Sequence, residues 1–360
     1  MLEYIRPASL KLGDKLGRTI YNTQGNVLIK AGISLTDNMI KTIQTQGYKG
    51  VYIDRVENAE RKSIRIQEPI IDDYTTIKVI SIISRILKNK NIYTNAWDNS
   101  FTKDRQQLEE YINEFYKLFK EKNIKKQLIF EMEDSRNNDN WVEYHSFNTM
   151  QLAMAIAMRM GYPETEVKGI AAAGLMHDIG KGKYPELINK KDLTEAEKNL
   201  LRTHPRTIFE VLTGLSGIFA SNACTYGCWQ SHELYDGSGY PMGLSGSKIT
   251  TYGYIVGAAN RFDDLIHKTP FNDEPMNNDE ALEYLMGSNL YQVEVIKALT
   301  EVVSVYPVGT KIRLSNGQEG LVESNNMSLP LRPNIVIGYK RVNLASDEEY
   351  RNVTVQEVIS

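Results

Sequence analysis

GIAAAGLMHDIGK occupies residues 169–181, a run of small and branched apolar residues that ends on His177-Asp178 and then on Gly180-Lys181. The stretch 164–177 has the apolar spacing of a helix. It is far shorter than the ~20 apolar residues a membrane-spanning helix needs. The remaining histidines are spaced to join it. Of five histidines, His145, His177, His204 and His232 are separated by 32, 27 and 28 residues, and Asn260 follows after another 28. A helix of ~12–15 residues, a short loop and a returning helix consume roughly that many. An antiparallel bundle with this rhythm returns each marked position to the same end and depth, so the four imidazoles converge.

Working outward, helical patterns over 145–160, 164–177, 194–213, 217–232, 249–267 and 278–287 predict a bundle across residues 126–303. Its loops are marked by Gly161-Tyr162-Pro163, Gly214 and the glycine-rich run 237–246. Residues 1–55 read as a small α+β module. There, β-prone stretches flank a turn at Thr23-Gln24-Gly25-Asn26, Thr36 caps a helix that ends before Gly47, and 51–53 forms a strand. Residues 56–125 read as a charged linker followed by two amphipathic helices, the second over 102–122. After Tyr306-Pro307 the pattern becomes β-prone at 311–314, 320–323, 334–339 and 353–355, giving a β-rich appendage over 304–360. The predicted fold class is therefore mainly α: a helical bundle with a small N-terminal α+β module and a short C-terminal β-rich appendage.

Composition narrows the partners. Lys and Arg number 42 against 45 Asp and Glu, a net charge of −3. So even a balance cannot organise binding to long nucleic acid or to an anionic membrane surface, and any phosphate must be held at a local site. Two cysteines cannot build a disulfide framework, which fits a reducing compartment. Cys224 and Cys228 lie one helical turn apart and read as small core hydrophobes. The opening MLEYIRPASLKLG carries Glu3 and Arg6 where a secretory signal needs an unbroken apolar stretch, so a cytoplasmic protein is expected.

The chemistry follows from residue types. Convergent imidazoles joined by a carboxylate suit a metal site in a bundle core. Neighbouring helical residues project about 100° apart, so His177 can bind one ion while Asp178 leans between two. A pair of cations about 3.5–4 Å apart can hold and ionise one water. Lys181 stands four residues after His177, on the same face, where it can pin a substrate phosphate.

HDIGK at 177–181, HP at 204–205, HE at 232–233, DGSGYPMGL at 236–244 and NRFDDL at 260–265 together resemble an HD-GYP domain. This is the branch of the HD superfamily that hydrolyses cyclic dinucleotides, mainly cyclic di-GMP. YPVGTKIRLSNGQEGLV at 306–322 resembles the tail that often follows that domain in bacterial members. The resemblance implies an HD-type bundle with metal ligands His145, His177, Asp178, His204 and His232, and with Asn260 at the place of a final ligand. Asp178 and Lys181 are the implied catalytic residues, and Lys181, Gly239, Tyr240 and Pro241 the implied substrate contacts. One or two divalent ions are expected, with Fe, Mn and Mg not distinguished. The expected partners are a cyclic dinucleotide and, through the GYP loop, a diguanylate cyclase or another signalling protein; a homodimer is among the expected assemblies.

The sequence also departs from that pattern. Ser231 stands where the first of two consecutive histidines is usual, and Asn260 where an aspartate is usual. Trp141 stands where three-metal members carry a glutamate, so a third ion is not expected. An Arg-Pro-Tyr-Arg-like segment is replaced by Thr269-Pro270-Phe271-Asn272. Asparagine keeps a carbonyl oxygen but removes one charge from a dication site. Two readings follow: a metal-dependent phosphodiesterase, or a degenerate domain that senses a nucleotide or partner without turnover.

Overall fold

In the computed structural model the described residues are 2–21, 27–46, 48, 50–54, 70–94, 99–122, 140–212, 214–326 and 328–359. The expected turn at 23–26, Gly47 and the linker over 55–69 lie outside them. The chain divides into two compact units, Met1–Pro69 with Ile129–Asn137 and Val303–Ser360, and Ile70–Leu128 with Asn138–Val302.

In the first unit β1 (Leu2–Ile5) pairs antiparallel with β4 (Val51–Asp54), setting Tyr4 opposite Tyr52. Between them lie the pair β2 (Ile20–Tyr21) and β3 (Val27–Ile29) and the helix α1 (Asp37–Thr45). Thr36 caps α1 by accepting from the Met39 amide, as its hydroxyl and the following Asp37 suggest. Ile40 and Ile43 bury one face of that helix against Leu16, Leu35, Val51 and Ile53. The same unit holds a five-stranded antiparallel sheet in the order β8-β7-β6-β5-β9. Its strands are β5 (Lys311–Leu314), β6 (Glu319–Ser324), β7 (Asn334–Ile337), β8 (Lys340–Asn343) and β9 (Val355–Val358). The run read as one strand over 334–339 is thus a hairpin, with Gly338 at φ +59° in its turn. The two ends of the chain meet here: the Tyr4 amide donates to the Gly309 carbonyl at 3.1 Å, and the Arg6 guanidinium to the Val358 carbonyl at 2.7 Å.

The second unit is helical. α2 (Asp73–Lys88), capped by Asp72, is tied to α3 (Asn99–Glu121) by Arg85 and Asp104 at 2.6 Å. α3 buries Phe101, Leu108, Ile112, Phe115 and Phe119 at helical spacing and turns most of its charges outward. α4 (Trp141–Arg159) is buried on nearly every side, its polar Glu143, His145, Ser146, Asn148 and Thr149 included, and packs against α5 (Glu164–Met176) and α9 (Thr251–Ile266). The pattern over 194–213 predicts one helix, but the chain forms α6 (Glu195–Leu201) and α7 (His204–Leu212). Pro205 is the cause: it lacks an amide proton and disfavours helical geometry before it, so it serves as a helix start. Ser221 likewise divides 217–232 by capping α8 (Asn222–Gln230) at the Cys224 amide. α10 (Asn278–Ser288) and α11 (Val293–Val302) complete the unit. Cys224 and Cys228 are free and buried on α8. No helix among the described residues is long and apolar enough to cross a membrane.

Candidate metal centre

Each of the four rhythmic histidines ends or begins an element, or is aimed by a neighbour. His177 caps the C-terminus of α5 and its Nδ1 lies 2.8 Å from the Gly174 carbonyl. His204 opens α7 with Nδ1 2.8 Å from the Leu201 carbonyl. A carbonyl can only accept, so in both rings Nδ1 carries the proton and Nε2 presents its lone pair. His145, on α4, sets Nδ1 2.7 Å from the Asp263 carboxylate. His232 follows α8 directly. Gly180 lets these pieces meet, since a Cβ there would lie 2.3 Å from the His204 carbonyl oxygen.

Asp178 sits at the centre, fully buried. Its Oδ1 is 3.1 Å from His204 Nε2, 3.6 Å from His177 Nε2 and 3.7 Å from His232 Nε2. Its Oδ2 is 3.7 Å from His145 Nε2 and accepts from Lys181 Nζ at 2.5 Å. Two ligand groups share it: His145, His177 and Asp178, and Asp178, His204 and His232, each with its donor atoms within 4.8 Å of one another. The fit of a cation is shown by what the protein leaves open. His177 Nε2 and Asp178 Oδ1 are buried without a hydrogen-bond partner, a costly state for two electron-pair donors unless something positive lies between them.

The electrostatics point the same way. Burial pushes the His177 and His232 rings down, to about 4 and about 3, and lowers His204, so all three offer neutral nitrogen at neutral pH. Burial also opposes the charge on Asp178, but Lys181 and the imidazoles outweigh it and hold that carboxyl well below its usual range. His145 moves upward: burial disfavours its cation, yet Asp264 and Asp263 prevail.

The departures from the expected pattern have definite places. Asn260, on α9, sets Oδ1 2.8 Å from His145 Nε2 and Nδ2 3.4 Å from His232 Nδ1, so a neutral amide stands between the two groups. The Ser231 hydroxyl is buried and donates to the Cys228 carbonyl at 3.0 Å. Trp141 donates its indole N–H to Asn189, and its ring lies 5.0 Å from the Lys181 ammonium. Asn272 lines the cavity but spends its amide N–H groups on the carbonyls of Asp264, Leu265 and His267, closing the end of α9.

A cavity of about 600 Å³ opens over the cluster, lined by Lys181, His204, His232, Tyr240 and Asn260 among others. Of the loop residues Gly239, Tyr240 and Pro241, it is Tyr240 that reaches the cavity. Gly239 instead permits the fold of the loop, because a Cβ there would lie 2.5 Å from the His232 carbonyl. Two residues that the spacing argument passes over hold this arrangement. Glu233 accepts from the Met242 and Leu244 amides at 2.7 and 2.8 Å and so closes the loop. Asp263 accepts from His145 and from the Asn148 amide, at 2.7 and 3.0 Å. Asp263 lies three residues after Asn260, one turn along the same helix face, a signal the sequence does carry.

The HD domain family model matches residues 121–291. A cyclic di-GMP phosphodiesterase of Pseudomonas aeruginosa is 30% identical over 206 residues, 56% of this chain and 49% of that protein. A cyclic di-GMP phosphodiesterase response regulator of Xanthomonas campestris is 38% identical over 152 residues, 41% of this chain and 40% of its own. A cyclic di-GMP phosphodiesterase of Thermotoga maritima is 31% identical over 243 residues, 62% of this chain and 63% of its own. The chain thus spans between two fifths and two thirds of the length of these relatives. Residues 121–291 thus match the HD domain family, and the His-Asp pair, the His-Pro histidine and the Gly-Tyr-Pro loop gathered around Asp178 make this stretch similar to HD-GYP proteins.

Proposed function

We propose that this chain is a metal-dependent phosphodiesterase that hydrolyses a cyclic dinucleotide such as cyclic di-GMP. One observation carries the reading: two groups of buried ligand atoms share Asp178, and His204 and His232 of the second group line a cavity large enough for a nucleotide. The relatives whose names describe this activity lend it support.

His145, His177, Asp178, His204 and His232 would hold one or two divalent ions, Fe, Mn or Mg, with Asn260 a weak neutral donor. When bound, such an ion supplies an acidified water and neutralises charge on a phosphoryl group. The protein's own residues do the rest. Lys181, held against Asp178 and the Trp141 ring, presents an ammonium to the phosphate. Tyr240 shields His232 from solvent on one side. The Nδ1 bonds of His177 and His204 to backbone carbonyls keep their Nε2 atoms aimed inward.

One observation favours the second reading, a nucleotide sensor without turnover: the neutral amide of Asn260 and the Lys181 ion pair both lower the net negative charge available to a cation. The loop at 236–244 would then serve as a docking surface for a signalling protein, and a cytoplasmic location suits either reading. Turnover of a panel of cyclic dinucleotides with Mn, Fe and Mg supplied separately decides between them. Slow hydrolysis abolished by Asp178→Ala supports the enzyme. Tight nucleotide binding without hydrolysis under every metal overturns it in favour of the sensor.

A further inference from the structure

We infer that Arg202 and Arg261 are the anion-anchoring residues of this cavity and hold the half of a cyclic dinucleotide that is not being cleaved, an inference that rests on the substrate class proposed above. A cyclic dinucleotide carries two phosphodiesters on opposite sides of one ring. While one lies at the Asp178 cluster, the other must be desolvated against a cation of its own.

The segment after α9 offers the cavity no cation: Lys268 is not in its lining and faces Asp273 at 3.8 Å. Thr269 accepts from the Phe271 amide, and Asn272 is engaged with three carbonyls of the helix end. The cavity wall itself does provide it. Arg202 follows α6 two residues before His204, Arg261 follows Asn260 on α9, and both line the cavity over the cluster.

Their surroundings distinguish them from structural arginines. Arg85, Arg159, Arg206, Arg313 and Arg341 each meet a carboxylate. Arg202 and Arg261 form no ion pair among the described residues. The acid nearest Arg261 in sequence that also lines the cavity, Asp264, faces His145 at 3.6 Å instead. Each guanidinium lies over a tyrosine face, Arg202 5.7 Å from the Tyr240 ring centroid and Arg261 5.7 Å from that of Tyr284. A guanidinium held over a ring face keeps its N–H groups available to an acceptor, which suits bidentate recognition of phosphate. Phe271, half exposed and set edge-on to Trp141 at 5.8 Å, adds an aromatic face at the same rim against which a base can rest.

The test compares a whole substrate with one that lacks the second half. Arg202→Ala and Arg261→Ala in the full chain should each weaken equilibrium binding of cyclic di-GMP by about tenfold or more, the loss of a charge-assisted contact. Both should leave turnover of bis(p-nitrophenyl) phosphate within about twofold of the parent. Arg261→Lys, which keeps the charge and loses the fork, should restore only part of the affinity. Unchanged dinucleotide affinity in both alanine variants overturns the inference while leaving the phosphodiesterase reading intact. So does a loss of bis(p-nitrophenyl) phosphate turnover in step with dinucleotide affinity, since the arginines would then be supporting the cluster. Arginine-dependent binding in a parent that never hydrolyses the dinucleotide upholds the inference and defeats the hydrolytic reading. A parent that binds no cyclic dinucleotide at all defeats both.

Discussion

The ring of Tyr240 lies parallel to that of His232, with 4.7 Å between centroids and 7° between planes. It also meets His204 edge-on at 6.1 Å. A single loop residue therefore braces two of the candidate ligands. Tyr240→Phe keeps the stack and should leave metal affinity within about threefold of the parent, whereas Tyr240→Ala should weaken it by up to about tenfold, the worth of one aromatic pair. Competitive titration against a chelator reads the difference. Equal affinity in the alanine variant would show that the loop does not brace the ligands.

Asp263 is expected to matter without touching the cavity. It is fully buried and aims His145 from behind. Asp263→Asn should lower metal affinity about 10–100-fold, as loss of a carboxylate behind a ligating histidine does. Metal content after dialysis, with circular dichroism to confirm that the helices persist, checks this.

The two substituted ligand positions should respond unequally. Asn260 already points its carbonyl oxygen at His145, so Asn260→Asp adds charge where a donor stands. It should raise metal occupancy. Ser231 is buried and spends its hydroxyl on the Cys228 carbonyl, so Ser231→His must first make room. That variant should gain less metal and melt lower than the parent. Metal analysis beside a melting curve for each variant settles the order, and a larger gain from Ser231→His would contradict it.

Glu233 closes the loop through two backbone amides. Glu233→Ala removes the acceptor of both part-buried N–H groups, at about 1 kcal/mol for each hydrogen bond lost. Urea unfolding should show the loss, and hydrogen exchange at Met242 and Leu244 should quicken. Glu233→Gln keeps one carbonyl acceptor and should protect one of those amides better than alanine does.

Acid should destabilise the metal-free chain through the buried rings. His177 and His232 stay neutral in the folded state down to about 4 and about 3. In the unfolded chain they take up protons near the ordinary value of about 6.5. Between those limits the unfolded state binds more protons, so stability rises with pH through the window and is lost as pH falls. The melting temperature should drop from pH 7 towards pH 4, and less steeply in His232→Gln. Parallel profiles would mean that His232 is not held neutral.

The meeting of four histidines is legible in the sequence because helix rise and loop length are nearly constant, so a 27–32-residue interval has a geometric meaning. Asp178 as the hub follows from its place beside His177 at a helix end. Other features are not legible for equally physical reasons. Glu233 acts through amides nine and eleven residues away, and no periodicity records a loop closing on a carboxylate. Arg202 and Arg261 lie two residues before His204 and one after Asn260, yet only the tertiary fold shows that both reach one cavity. The break before Pro205 was present in the residue itself, but a continuous apolar pattern across 194–213 masks it. The β-rich end read as a separate appendage shares a unit with residues 1–69 because strands and single hydrogen bonds join positions some 300 residues apart.

That joining of distant ends governs the order in which the polypeptide acquires structure. Synthesis delivers β1 and α1 well before the Gly309 carbonyl that receives the Tyr4 amide and the Val358 carbonyl that receives Arg6. The helical unit lies wholly between those positions in the sequence, so it can mature on the ribosome in the meantime. The apolar cluster over residues 5–53 draws on early residues alone, whereas the hydrogen bonds of Tyr4 and Arg6 form only after residues 309 and 358 have been made.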